Sequence, residues 1–330
     1  ALHEGVSWDW ESFPEYLDAV EKFPRAIDVG AQVPHCAVRT YVMGDRGTNN
    51  EKASADDISK MADIVREGIQ AGALGFTTSR TELHTTREDQ AMPGTYADED
   101  ELLGIGKVIG EMDGKAIYGV VSDWTNWEEE MDWMKRLSIA NNCQINFVLF
   151  FREESDWPRV QAQLAYVREA AKEGAKLIPH VGARPVNLLL SWDGTINPFS
   201  FHSNYAPLSM MPYEERLAEL RKPEVRAAIV AEDLPLMGDD FMDTIIGGYD
   251  KLYELGSPPN YEPGPEDSIA AKAAAGGVSP QQYCYDLMMK RDGKNVVYFP
   301  CFGYGANDLS RQVELMEDES TVLSLADTGA

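Results

Sequence analysis

The feature that most constrains this chain is a rhythm. Between residues 54 and 181 an amphipathic helix, a short loop and a short apolar strand follow one another four times. The first round shows the pattern most clearly. Ser54-Ala55-Asp56-Asp57 supplies a cap and an acidic first turn, and Ile58, Met61, Ala62, Val65 and Ile69 share one apolar face. Gly72–Thr78 then reads as a buried strand. The same reading gives helices over 98–113, 127–140 and 156–174, and strands over 115–121, 144–151 and 175–181. This alternation predicts a parallel sheet or barrel whose strands all end on one face.

Either side of the rhythm the signals change. Trp8, Trp10, Phe13, Tyr16, Leu17, Val20 and Phe23 recur at helical spacing after a cap at Ser7 or Asp9. Residues 26–33 read as a strand ending at Pro34-His35. Residues 185–278 lose the alternation and gather proline, glycine and aromatic residues, as a lid or substrate-covering insertion does. Within them helices are expected over 212–220 and 223–232. A helix to about Arg291, a strand over 295–300 and a helix over 307–317 follow. The last strand is apolar from Thr321 to Leu325 and delivers a carboxylate, Asp327.

A chain of 330 residues can hold one elaborated barrel or two ordinary domains. Its net charge is 29 − 55 = −26, which opposes binding to nucleic acid and to anionic membranes. No apolar run approaches the ~20 residues that span a bilayer, and no signal peptide opens the sequence. Cys36, Cys143, Cys284 and Cys301 are widely spaced, which suits reduced thiols and a cytoplasmic location. The sequence begins without Met, inside a helical pattern, and is expected to be an internal fragment of a longer chain.

Polar side chains fall where strands are expected to end: His35, Arg80, Asp123, Arg152, His180, Arg184 and Asp327. In a barrel these would ring a pocket. Each also has a structural reading. Asp327 is either a strand-end carboxylate or part of an Asp-Thr-Gly turn, and His35 and His180 are either site residues or hydrogen-bonded core histidines. Arg80 and Arg184 either hold a substrate carboxylate or anchor loops. Glu128-Glu129-Glu130 is expected to be a solvated helix face, and His84 and His202 to lie in loops. The sequence contains no H-x-H, H-E-x-x-H, G-x-S-x-G or P-loop pattern.

Several ordered segments resemble the D-aminoacylase (N-acyl-D-amino-acid deacylase) branch of the amidohydrolases. They are Trp8-Asp9-Trp10-Glu11-Ser12-Phe13-Pro14-Glu15-Tyr16-Leu17, and Asp28–His35 with Arg39 and Val42-Met43-Gly44. Glu67 to Gly75-Phe76-Thr77-Thr78-Ser79, Arg184-Pro185-Val186 with Leu188-Leu189-Leu190, and Leu325-Ala326-Asp327-Thr328-Gly329 continue the series.

The resemblance implies an α/β (β/α)8 TIM-barrel amidohydrolase fold, present here as about strands three to eight, with the run 295–300 as an extra element. It implies a metal-dependent hydrolase acting on a small N-acyl amino acid or related amide, with Asp327 as metal ligand and general base. Arg80, Arg184, His180 and His35 are the expected substrate-binding residues. The family's H-x-H ligands would precede Ala1 and its closing segment would follow Ala330. Its strand-five histidine is replaced around Ser122-Asp123, and its strand-six histidine is missing near Phe151-Arg152. One zinc ion is therefore expected in place of two, with most ligands outside this chain. The alternative is a barrel that binds small molecules without catalysis.

Overall fold

Ser54 starts the first αβ round as its sequence requires. Its hydroxyl accepts from the Asp57 backbone N–H, and the Asp57 carboxylate reaches back to the Ser54 N–H at 2.9 Å. The helix Ala55–Gln70 that follows buries Met61, Ala62, Val65 and Ile69. The structure, a computed structural model, describes residues 8–24, 26–86, 88 and 90–324. The chain forms two compact units. One runs to Leu149 and adds Pro158–Val181 and Asp318–Leu323; the other comprises Phe150–Trp157 and Gly182–Glu317.

The first unit is built on six parallel strands: β1 (Val33–Pro34), β2 (Gly75–Arg80), β3 (Ile117–Ser122), β4 (Gln144–Val148), β5 (Lys176–Val181) and β9 (Val322–Leu323). They lie in chain order, so each new strand pairs with the one before it. The helices Ala55–Gln70, Glu99–Glu111, Trp127–Asn141 and Trp157–Lys172 are the successive crossovers. Right-handed crossovers that always advance in one direction put every helix on the same side of the sheet. Burial follows this arrangement. Phe76, Tyr118, Phe147 and Leu177 are buried, whereas Thr77, Gly119, Asn146, Ile178 and His180 on the opposite face are only half-buried.

The four rounds thus form where the sequence placed them, and two expectations near the start need correction. Strand β1 is two residues long rather than eight, and residues 26–32 have no regular structure. The first described helix is Phe13–Glu21, capped by a Ser12–Glu15 box rather than by Ser7 or Asp9.

The second unit holds a separate antiparallel sheet in the order β6 (Val186–Leu190), β8 (Val297–Phe302), β7 (Tyr253–Glu254). Strand β8, the expected extra element, stays out of the parallel sheet. Helices Tyr213–Leu220, Pro223–Val230, Asp240–Gly247, Ile269–Gly276 and Pro280–Gly293 accompany it. Trp192, Phe199, Tyr205, Tyr285, Leu252, Val297 and Phe299 form its core. His202 lies in a loop, as expected from the sequence, and is buried there against the Phe199 ring. All four cysteines are free, and Cys143, Cys284 and Cys301 are buried. Among the described residues no helix is long and apolar enough to cross a membrane.

Candidate functional site

Because the six strands run parallel, their C-terminal ends form one edge of the first unit, and His35, Arg80, Asp123 and His180 all come to it. Their environments differ sharply.

His35 follows β1 directly and opens the helix His35–Met43. It is 2% exposed. Its Nδ1 lies 2.8 Å from Thr78 Oγ1 and its Nε2 lies 2.9 Å from Glu101 Oε1, so both ring nitrogens are engaged. Arg39, one turn further along the same helix, pairs with the same carboxylate. Burial pushes the Glu101 carboxyl up, but the hydrogen bonds from His35 and Arg39 outweigh it and leave the group below the usual range. Gly94 lies against this histidine, at φ +100°, and a Cβ there would come within 2.8 Å of its Nδ1. This is a close-packed network that holds β1, β2 and the helix Glu99–Glu111 together.

Arg80 ends β2 and is also engaged. Its Nε and Nη2 reach the Glu130 carboxylate at 2.8–2.9 Å, and its Nη1 donates to the Ala97 carbonyl at 3.0 Å. Glu130 also accepts from the Trp133 indole at 3.2 Å. The triple-Glu run is therefore solvated only in part: Glu128 and Glu129 are exposed, whereas Glu130 turns inward to Arg80. Asp123 accepts from the Thr81 hydroxyl and, at 2.8 Å, from the Glu82 backbone N–H. It ties the loop after β2 to the end of β3. His84, exposed in that loop, sits 2.7 Å from Ser79 Oγ through its Nδ1.

His180 stands apart. It is half-buried on the more open face of β5, and among the described residues its imidazole has no hydrogen-bond partner. Burial lowers its pKa, so the ring stays neutral further into the acid range. It pairs in register with Val322 of β9, the strand that leads in five residues to position 327. Asp327 itself lies outside the described residues. Arg184, in the second unit, is exposed, and its guanidinium has no hydrogen-bond or ion-pair partner among the described residues. Arg152, also in the second unit, stacks over the Phe241 ring, 5.5 Å from its centroid.

A resident metal needs three or more convergent ligands, and among the described residues no group of three His, Cys, Asp or Glu side chains is placed to hold one. The strand ends where the resemblance places histidines carry Asp123, held by its loop, and Arg152, a cation. The described residues alone therefore do not fit a metal centre.

A sequence profile of the amidohydrolase family matches residues 3–295. A D-aminoacylase of Alcaligenes xylosoxydans xylosoxydans is 35% identical over 77 residues, which is 23% of this chain and 15% of that protein. An uncharacterized protein of Mycobacterium bovis is 29% identical over 103 residues, covering 29% of this chain and 16% of its own length. Among solved structures, the N-acyl-D-glutamate deacylase of Bordetella bronchiseptica, complexed with zinc and a phosphonate inhibitor, superposes with a TM-score of 0.51 at 16% identity. The match covers 94% of this chain and 51% of that one. A D-aminoacylase with a binuclear metal centre gives a TM-score of 0.51 at 14% identity, covering 94% of this chain and 50% of its own. The chain thus spans about half the length of these structures. The likeness shows the fold: an α/β barrel, represented here by six parallel strands that stand in chain order in one sheet.

Proposed function

Because the chain belongs to the amidohydrolase family, we propose that the whole protein is a metal-dependent hydrolase of the D-aminoacylase branch, removing the acyl group from N-acyl-D-amino acids. The observation that carries this reading is the pairing of β5 with β9 at one edge of a sequentially ordered parallel sheet. It sets His180, neutral and unpartnered among the described residues, in register with the strand that runs on to Asp327.

In this proposal Asp327 takes a proton from the attacking water and passes it to the leaving amine, the work of a carboxylate beside a reacting amide. His180 orients the substrate from the neighbouring strand. Arg184, exposed and unpaired among the described residues, is the better carboxylate anchor, since Arg80 would first have to leave Glu130 and His35 would have to leave Glu101. A divalent metal, zinc first and one ion rather than two, belongs to the same proposal, with most of its ligands outside the described residues. Residues 185–278 act as the lid, and four free cysteines suit a cytoplasmic enzyme.

The test is release of free amino acid from N-acetyl-D- and N-acetyl-L-amino acids by the full-length protein, with zinc and after chelation. Zinc-dependent release from the D-series supports the reading, and no metal-dependent release from any acylated amino acid overturns it. The absence of a three-ligand cluster among the described residues favours a second reading, a barrel that binds such amides without cleaving them. Substrate affinity without turnover would select it.

A further inference from the structure

The second unit contains a cavity of about 240 Å³, every lining residue of which belongs to that unit. This is just below the roughly 300–1,000 Å³ of pockets for drug-sized ligands, so it suits one small molecule. Four charged side chains line it: Arg152, Glu153, Asp250 and Lys251. Two of them cancel, since Lys251 Nζ pairs with the Glu153 carboxylate. The other two do not: among the described residues neither the Arg152 guanidinium nor the Asp250 carboxylate has a hydrogen-bond or ion-pair partner. Arg152 is half-buried over the Phe241 ring, and Asp250 is exposed.

The rest of the wall includes three aromatic side chains, Tyr253, Phe299 and Tyr304, all buried. Tyr304 spends its hydroxyl on the Pro263 carbonyl at 2.8 Å. Tyr253, 1% exposed, has no hydrogen-bond partner for its hydroxyl among the described residues. A phenol hydroxyl at the cavity wall with no protein partner is free to donate to a ligand acceptor.

One free cation, one free anion, a spare hydroxyl and three aromatic rings around a small volume describe the complement of a single molecule carrying both charges. We propose that this cavity binds a free α-amino acid as its zwitterion, with the carboxylate on Arg152 and the Tyr253 hydroxyl, the ammonium on Asp250, and the side chain against Tyr253, Phe299 and Tyr304. An N-acylated amino acid has lost the ammonium and with it the Asp250 contact. The cavity therefore separates a free amino acid from its acyl derivative. If the protein deacylates such compounds, this is a product site; the binding itself does not depend on that reading.

The experiment is calorimetric titration of the full-length, metal-chelated protein, in which turnover plays no part, with D- and L-phenylalanine. N-acetylphenylalanine, 3-phenylpropanoate and phenethylamine serve as controls that each lack one charge. Phenylalanine of at least one hand is expected to bind at least tenfold more tightly than all three controls. Arg152→Gln and Asp250→Asn should each weaken it at least tenfold, and Tyr253→Phe several-fold. Arg152→Lys, which keeps the charge, should retain part of the affinity and guards against loss through misfolding. Equal binding of 3-phenylpropanoate and phenylalanine, no binding of either amino acid, or unchanged affinity in Asp250→Asn would each overturn the proposal. Deacylation by an Asp250→Asn protein that no longer binds phenylalanine would leave the hydrolase reading standing separately.

Discussion

The ionic network around Glu101 is the part of the first unit most sensitive to a single atom. Arg39 and Glu101 are both 1% exposed, so the charge of the guanidinium is compensated inside the protein by this carboxylate. Glu101→Gln preserves the shape and leaves a buried cation uncompensated, which costs about 3–5 kcal/mol. Urea denaturation of the variant against the parent measures it. Two histidines give the molecule a pH dependence with a definite sign. Burial lowers the pKa of His202, against a smaller opposing pull from Glu232, and burial likewise lowers that of His180. Above the ordinary value of 6.5 neither the folded nor the unfolded form carries the charge, so nothing is lost. Below it the unfolded chain takes up protons that the native state refuses, and stability falls as pH falls. The urea midpoint should therefore decline on acidification below pH 6.5, and less steeply in His202→Asn.

Among the elements, β2 is the least tolerant of change. Gly75 begins it at φ +148°, and a Cβ there would lie 1.9 Å from the Ile117 carbonyl oxygen of β3. Gly75→Ala must push the two strands apart and should cost more than about 3 kcal/mol, or abolish cooperative unfolding as followed by circular dichroism. Ser54→Ala removes one cap from the helix Ala55–Gln70 and should cost about 1 kcal/mol in the same measurement. These elements were legible in the sequence because cap, period and burial agree in them. The helix His35–Met43 was not, since two of its four buried residues are His35 and Arg39, so its inward face does not look apolar. For the same reason the Arg80–Glu130 pair was hidden: in a run of three glutamates nothing local tells which one turns inward. Of the strand-end residues, the sequence located His35, Arg80, Asp123 and His180 at one edge, but could not say which of them were already spoken for. That depends on partners 41 to 66 positions away.

At the scale of the whole molecule, the parallel sheet has β1 and β9 as its outer strands, and neither has a further partner among the described residues. Val322 and Leu323 of β9 are 46% and 54% exposed. An apolar edge of this kind is a template for pairing with another chain. The 330-residue polypeptide by itself should associate in a concentration-dependent way, despite a net charge of −26 that opposes contact between copies. Sedimentation velocity reads this, and Val322→Lys, which places a charge on the edge, should shift the distribution toward monomer.

Strand order has a further consequence, in the timing of synthesis. From β1 to β5 each strand meets its partner within one crossover, so the sheet can grow in step with the ribosome and never wait for distant chain. Strand β9 breaks that schedule. Its partner β5 ends at Val181, and the whole of Gly182–Glu317 must emerge before Val322 reaches His180. Closing so long a loop is slower than any earlier step in the sheet. The strand that leads to Asp327 is thus the last of the six described strands to be laid down, and the pairing beside His180 forms only after the second unit has been made.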